Sequence, residues 1–178
     1  TSTVVYAGNL ATFTDTGRTG GTAYYYKLFA YDAYKNYATG TGTGPWTPYS
    51  TTTVGNGTNP GNATLAPGGL ATELDSFTLL TGNGTDTVTA ITVALSAGSS
   101  GGLSLIEITN DGGTTAYGLL SNPTTDTVTI SLITNIIATT TSTQYKVRIT
   151  PNSHAAMPPP PGSTYIITSG TVTAITSA

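Results

Sequence analysis

The chain has 178 residues, of which only 7% are charged, with a formal net charge of −3 and a pI near 4.7. An ordinary globular domain carries about a quarter charged residues, and five basic residues are too few for the clustered Lys and Arg that bind phosphate backbones, so nucleic acid is excluded as a partner. Cysteine is absent, which removes disulfides, thiolate metal sites and covalently attached haem.

Thr is the commonest residue, with about forty copies, and its β-branched side chain suits a pleated surface better than a helix. The 22 Gly and 10 Pro punctuate the chain every few residues, and no stretch of helix formers shows a helical apolar period. The expected class is all-β. No apolar run is long enough to span a bilayer as a helix, and no signal peptide is visible. The scarcity of charge, with Thr, Gly and Asn abundant, points to an exported protein that is glycosylated, permanently assembled, or both. If it is secreted, Thr1 is a processed or internal start. Asn56, Asn62 and Asn83 each open an Asn-x-Thr sequon, which permits glycosylation in a suitable host; turns rich in Asn and Thr also produce the pattern by chance.

In chain order, residues 3–7 and 11–14 read as two short strands. A glycine-rich turn, Gly17-Arg18-Thr19-Gly20-Gly21, leads into a strand over 22–31, TAYYYKLFAY. Period-two alternation puts Tyr24, Tyr26, Leu28 and Ala30 on one face and Tyr25, Lys27, Phe29 and Tyr31 on the other. Residues 32–36 form a hairpin loop, and 37–43 return as a strand that stops before Gly44-Pro45. Residues 50–71, rich in Gly, Pro, Asn and Thr, read as a linker or extended arm; within it, 62–65 could start the next domain or pair with a sheet edge.

The remainder, 72–178, carries strand signals at the spacing of a sandwich. These fall at 76–80, 87–95, 103–109, 115–120, 127–133, 144–150, 165–167 and 171–175. Ile91, Val93 and Leu95 should point inward, as should Val128, Ile130 and Leu132, and Tyr145, Val147 and Ile149. Gln144, Lys146 and Arg148 should point outward. The pentapeptide TDTVT opens a strand twice, at 85–89 and 125–129, one turn-and-strand device used again.

The run TDTGRTGGTAYYYKLFAYDAYKNYATG resembles the E–F–G end of a fibronectin type III domain. Gly21-Thr22, Tyr24, Tyr26, Leu28 and Ala30 stand where that family has its Gly-Thr turn and its Tyr-x-Tyr-x-hydrophobe-x-Ala strand. The resemblance implies that Tyr24 is a tyrosine-corner residue, its hydroxyl bonding back to the backbone near the E–F turn. Arg18 departs from the pattern, where Leu is usual. Such a sandwich needs about seven strands and 100 residues, and the A, B and C strands have no counterpart here. Residues 72–178 resemble, less specifically, modules that alternate with type III domains in large secreted bacterial repeat proteins. The fold expectation is therefore tandem immunoglobulin-like β-sandwiches, the first incomplete within this chain: residues 1–49, a connection over 50–71, and a sandwich over 72–178.

Catalytic chemistry finds little footing. His154 with Met157 lies in a Pro-rich stretch and lacks the Cys that a blue-copper site requires. There is no Gly-x-Ser-x-Gly elbow. Glu73 with Asp75, and Glu107 with Asp111, are the conceivable carboxylate pairs, yet Asp111 is a turn-former between Asn110 and Gly112. Asp86 and Asp126 occupy equivalent TDTVT turns, but one Asp per turn falls short of calcium's six to eight oxygens. The sequence thus names no enzyme, no cofactor and no metal. Its strongest feature is aromatic: most of the tyrosines, with Phe13, Phe29 and Trp46, precede residue 50. Tyr24, Tyr25, Tyr26, Leu28, Phe29, Tyr31 and Trp46 are the expected subunit interface, since Tyr and Trp are enriched at interfaces. The expected function is an extracellular structural segment of a bacterial surface filament, assembled head-to-tail by β-strand complementation, with 51–65 or 171–178 donating the strand. The rival expectation is a carbohydrate-binding or spacer appendage of a secreted polysaccharide-degrading enzyme, or an adhesin, with glycans as the partner.

Overall fold

The computed structural model describes residues 2–48, 51–61, 63, 65–157, 167 and 170–178. The expected strand at 165–167 falls mostly outside these residues, as do Thr1, Tyr49 and the sequon residue Asn62. Apart from two short 3-10 turns, every regular element is a β-strand, and all strand pairs are antiparallel. The chain divides into two compact units, Thr1–Ser50 and Thr51–Ala178.

Unit 1 is a single hairpin, β1 (Tyr24–Leu28) with β2 (Thr41–Trp46). The register pairs Tyr24 with Trp46 and Leu28 with Thr41, with one extra residue in β2 opposite Tyr25. That bulge contains Gly44, at φ +128, where a Cβ would lie 2.9 Å from the Tyr24 carbonyl oxygen. The bulge also accommodates Pro45, which has no N–H for a ladder. β2 therefore runs through Gly44-Pro45 instead of ending before it, and it starts four residues later than 37. The ladder resumes beyond β1 as a single Tyr31–Tyr37 bridge.

The strands expected at 3–7 and 11–14 are not formed. β-propensity is realised against neighbouring strands, and these residues have none. Instead the Tyr6 ring stacks on Phe13 at 4.9 Å, and the Tyr6 hydroxyl accepts the Leu10 N–H at 2.9 Å.

Unit 2 holds the remaining eight strands: β3 (Thr52–Asn56), β4 (Thr72–Thr81), β5 (Thr85–Leu95), β6 (Leu103–Asn110), β7 (Ala116–Ser121), β8 (Thr127–Thr139), β9 (Thr143–Pro151) and β10 (Gly170–Ser177). Their order is β10-β5-β8-β7-β6-β9-β4-β3. The link between β7 and β8 is one pair, Gly118 with Leu132. The ladder thus folds there into two facing sheets, β10-β5-β8 and β7-β6-β9-β4-β3. Gly118 eases the close approach there: a Cβ at this position would stand 2.9 Å from the Leu132 side chain and 3.0 Å from that of Ile130.

The core lies between the sheets. Ile91, Val93, Ile130, Val147 and Ile149 are buried as the alternation requires, with Leu95, Val128 and Tyr145 nearly so; Leu132 is only half-buried, because β8 leaves β5 at that point to meet β7. Tyr145 stacks on Phe77 at 5.7 Å and meets Tyr117 edge-on at 5.6 Å. Residues 134–139, not anticipated as strand, extend β8 and bury Ile136 and Ala138. The arm at 50–71 is not wholly a connection, since β3 within it pairs with β4 from Thr52–Thr81 to Asn56–Phe77.

Candidate functional site: an uncovered tyrosine face and an open seam

No described residue of unit 1 is buried. On β1, Tyr24 and Tyr26 are half-buried, while Leu28 is 77% exposed. Across the strand Tyr25, Phe29 and Tyr31 are exposed, and so is Trp46 at 61%. The seven residues expected at an interface are therefore gathered on one hairpin, and its own unit covers one face only in part, at Tyr24 and Tyr26, and leaves the other exposed.

The edge of this face is held by polar contacts. The Tyr24 hydroxyl accepts the Thr19 N–H at 3.0 Å. This bond, with the Arg18 charge assisting, holds the phenol below its ordinary value. The Tyr26 hydroxyl donates to Asp15 at 3.0 Å; desolvation, then this donation to a carboxylate, pushes that phenol up. Arg18 bridges to Asp15 at 3.0 Å and lies 5.7 Å from the centre of the Tyr24 ring. The guanidinium thus lies near the Tyr24 ring while pairing with the Asp15 carboxylate.

The hairpin tip is rigidly built. Asp32 accepts the Tyr34 and Asn36 N–H groups and the Asn36 amide, each at 2.9 Å. These bonds, the Asn36 side chain first, hold its carboxyl below the ordinary value. Lys35 takes φ +66, and its ammonium lies 4.9 Å from the Tyr31 ring centre, while Tyr31 and Tyr37 face each other at 5.5 Å.

Unit 2 has its own open place. β3 ends one sheet and β10 ends the other, so each presents one edge with no strand beside it among the described residues. At one end Asp86 draws them together, accepting hydrogen bonds from Thr52 and from Ser177, the latter at 2.7 Å. Towards the other end they diverge around a groove of about 200 Å³, lined by Val54, Asn56, Asp75, Phe77, Thr171 and Thr173 among others. Asp75 is only 4% exposed and accepts the Val172 N–H of β10 at 3.3 Å. Burial pushes its carboxyl up, against the pull of the Val172 and Ser76 N–H groups. Period-two phase from Phe77 and Leu79 places Asp75 on the inner face, a signal present in the sequence that the carboxylate-pair reading overlooked.

The other candidates serve the scaffold. Glu73 pairs with Lys146 at 2.8 Å and accepts the Ser76 hydroxyl at 2.7 Å. Asp111 accepts the Gln144 amide at 2.6 Å. Asp126 receives the Gly98 and Ser100 N–H groups at 2.7 and 2.9 Å, closing the turn after β5. Glu107 and Asp111 stand at different heights of β6 and its turn, Glu107 opposite Arg148 of β9. His154 is exposed on a 3-10 turn. Among the described residues no group of three or more His, Cys, Asp or Glu side chains is placed to hold a metal. Asn56 is exposed on β3 and Asn83 is half-buried in the β4–β5 turn.

The architecture defines the class: an all-β antiparallel sandwich, accompanied by a two-stranded unit without a core. Among the described residues no helix is long and apolar enough to cross a membrane. No family model, no curated protein and no solved structure matches the chain.

Proposed function

We propose that the chain is a structural segment of an extracellular filament, in which strands from another copy or a contiguous segment complete unit 1. One observation carries this reading: unit 1 is a two-stranded hairpin with no buried residue among those described, its Tyr24 and Tyr26 only half-buried and its Leu28 exposed. An isolated two-stranded hairpin is at best marginally stable in water, and at least three strands with a covered face are needed. Each large side chain left wet forfeits about 1–3 kcal/mol. The Thr19–Tyr24 bond supports the resemblance to the end of a fibronectin type III domain, and so the view that the missing partners are strands. The near absence of charge and the Thr-coated sheets fit permanent assembly outside the cell.

Sedimentation velocity of the full chain, followed by negative-stain microscopy, tests the proposal. Chains or filaments at micromolar concentration are expected. A stable monomer in dilute buffer whose Leu28 is protected from solvent by its own residues would overturn it.

A further inference from the structure

The groove beside β3 and the tip of the β1–β2 hairpin carry opposite charges. Charge divides unevenly between the units. Unit 1 has Arg18, Lys27 and Lys35 against Asp15 and Asp32, a net +1; unit 2 has Lys146 and Arg148 against six carboxylates, a net −4. Of the unit 1 cations, Arg18 is paired with Asp15, whereas Lys27 and Lys35 lie over the Phe29 and Tyr31 rings and meet no carboxylate at ion-pair distance among the described residues. Of the unit 2 carboxylates, Asp75 and Asp86 at the seam have no cation at that distance.

The groove's size decides what it can take. At about 200 Å³ it is smaller than the roughly 300–1,000 Å³ of small-molecule pockets. That is room for one or two side chains and too little for an added strand, which the Asp86 tie also obstructs. The tip offers such side chains. Tyr34 is 87% exposed at its apex and Lys35 stands beside it, on a turn whose backbone Asp32 already holds, so docking has chiefly side-chain entropy to lose. A cation brought to Asp75 would answer a carboxylate that burial leaves costly.

We propose that the β3–β10 groove of one copy receives the hairpin tip of a second copy, the Lys35 ammonium meeting the Asp75 carboxylate and the Tyr34 ring closing the groove mouth. The contact joins unlike surfaces, so repeated along one direction it gives a head-to-tail chain. It rests on the reading of the protein as self-assembling, and adds a second contact to the completion of the tyrosine face.

Sedimentation velocity of full-length variants tests it. Lys35→Glu and Tyr34→Ala, both on the exposed tip, should each weaken association at least tenfold. Asp75→Asn should weaken association without adding to Lys35→Glu in the double variant. Association of Lys35→Glu equal to that of the native chain would overturn the docking site. If Tyr26→Asp is monomeric in the same experiment, completion of unit 1 survives and only the groove contact falls; if the native chain is itself monomeric at every concentration, both fall.

Discussion

Asp75 and Asp126 are two carboxylates of one unit whose environments drive them in opposite directions. Burial raises Asp75 above the ordinary value of 3.8, so the folded state favours its neutral form. Its contribution to stability is fully present below the ordinary value and is lost as pH rises through the raised folded one. Asp126 is held low by the Ser100 and Gly98 N–H groups; its stabilisation is present above 3.8 and is lost as pH falls through the folded value. We therefore expect Asp75→Asn to raise the melting temperature at pH 7 and to lose that advantage near pH 3. Thermal melts at the two pH values check this, and an equal shift at both would refute the burial argument. In the core, Val147 is fully buried at the centre of β9, and Val147→Asp should cost more than about 3 kcal/mol as an unpaired buried charge. Gly118→Val should cost about 1–3 kcal/mol by overpacking where β7 meets β8; urea titration measures both. Val147 could be read from the alternation of Tyr145, Val147 and Ile149. Gly118 could not, because its importance lies in a sheet-to-sheet turn that no local period encodes.

At the scale of elements, the strands that the sequence displays are those whose inner face alternates against a core, such as β5, β6 and β9. β3 escaped notice because TTVGN has one large apolar residue and sits among Gly, Pro and Asn; its strand state comes from the free edge of β4. The opposite error occurs at 3–7 and 11–14, where strand-prone residues have no edge to join. β3 and β10, the two stretches expected to donate strands to a neighbour, are instead paired to β4 and β5 within unit 2. Val172 of β10 is buried and Val54 of β3 packs on the core. This makes the sandwich depend on residues before 72. A fragment 51–178 should melt cooperatively and several degrees above a fragment 72–178, which loses β3 and the Thr52–Asp86 bond. Circular dichroism melts of the two fragments decide the matter: equal midpoints would mean that β3 is an ornament on a self-sufficient unit.

For the whole molecule, the contrast between its units is the strongest argument for assembly. Unit 2 buries a continuous set of apolar side chains between two sheets, while unit 1 exposes Tyr25, Leu28, Tyr34 and Trp46 and buries none of its described residues. The conformational entropy of ordering a residue is about 1–2 kcal/mol for the backbone alone, and the described residues of unit 1 offset it with partly buried side chains only. The aromatic bias before residue 50 was visible in the sequence, but what covers the face was not, because period-two alternation reports a face and not its partner. With β3 and β10 committed to unit 2, truncation of 171–178 should now unfold the sandwich rather than merely release monomers, so it cannot report on assembly. Tyr26→Asp can. Tyr26 is half-buried with its hydroxyl on Asp15, and a second carboxylate there would repel Asp15 and resist any strand laid across the face. The variant should keep the unit 2 melt, lose the higher-order species seen by sedimentation, and leave the unit 1 tyrosines open to solvent quenchers of fluorescence. Native-like filaments formed by Tyr26→Asp would show that the face is not where neighbouring strands are received.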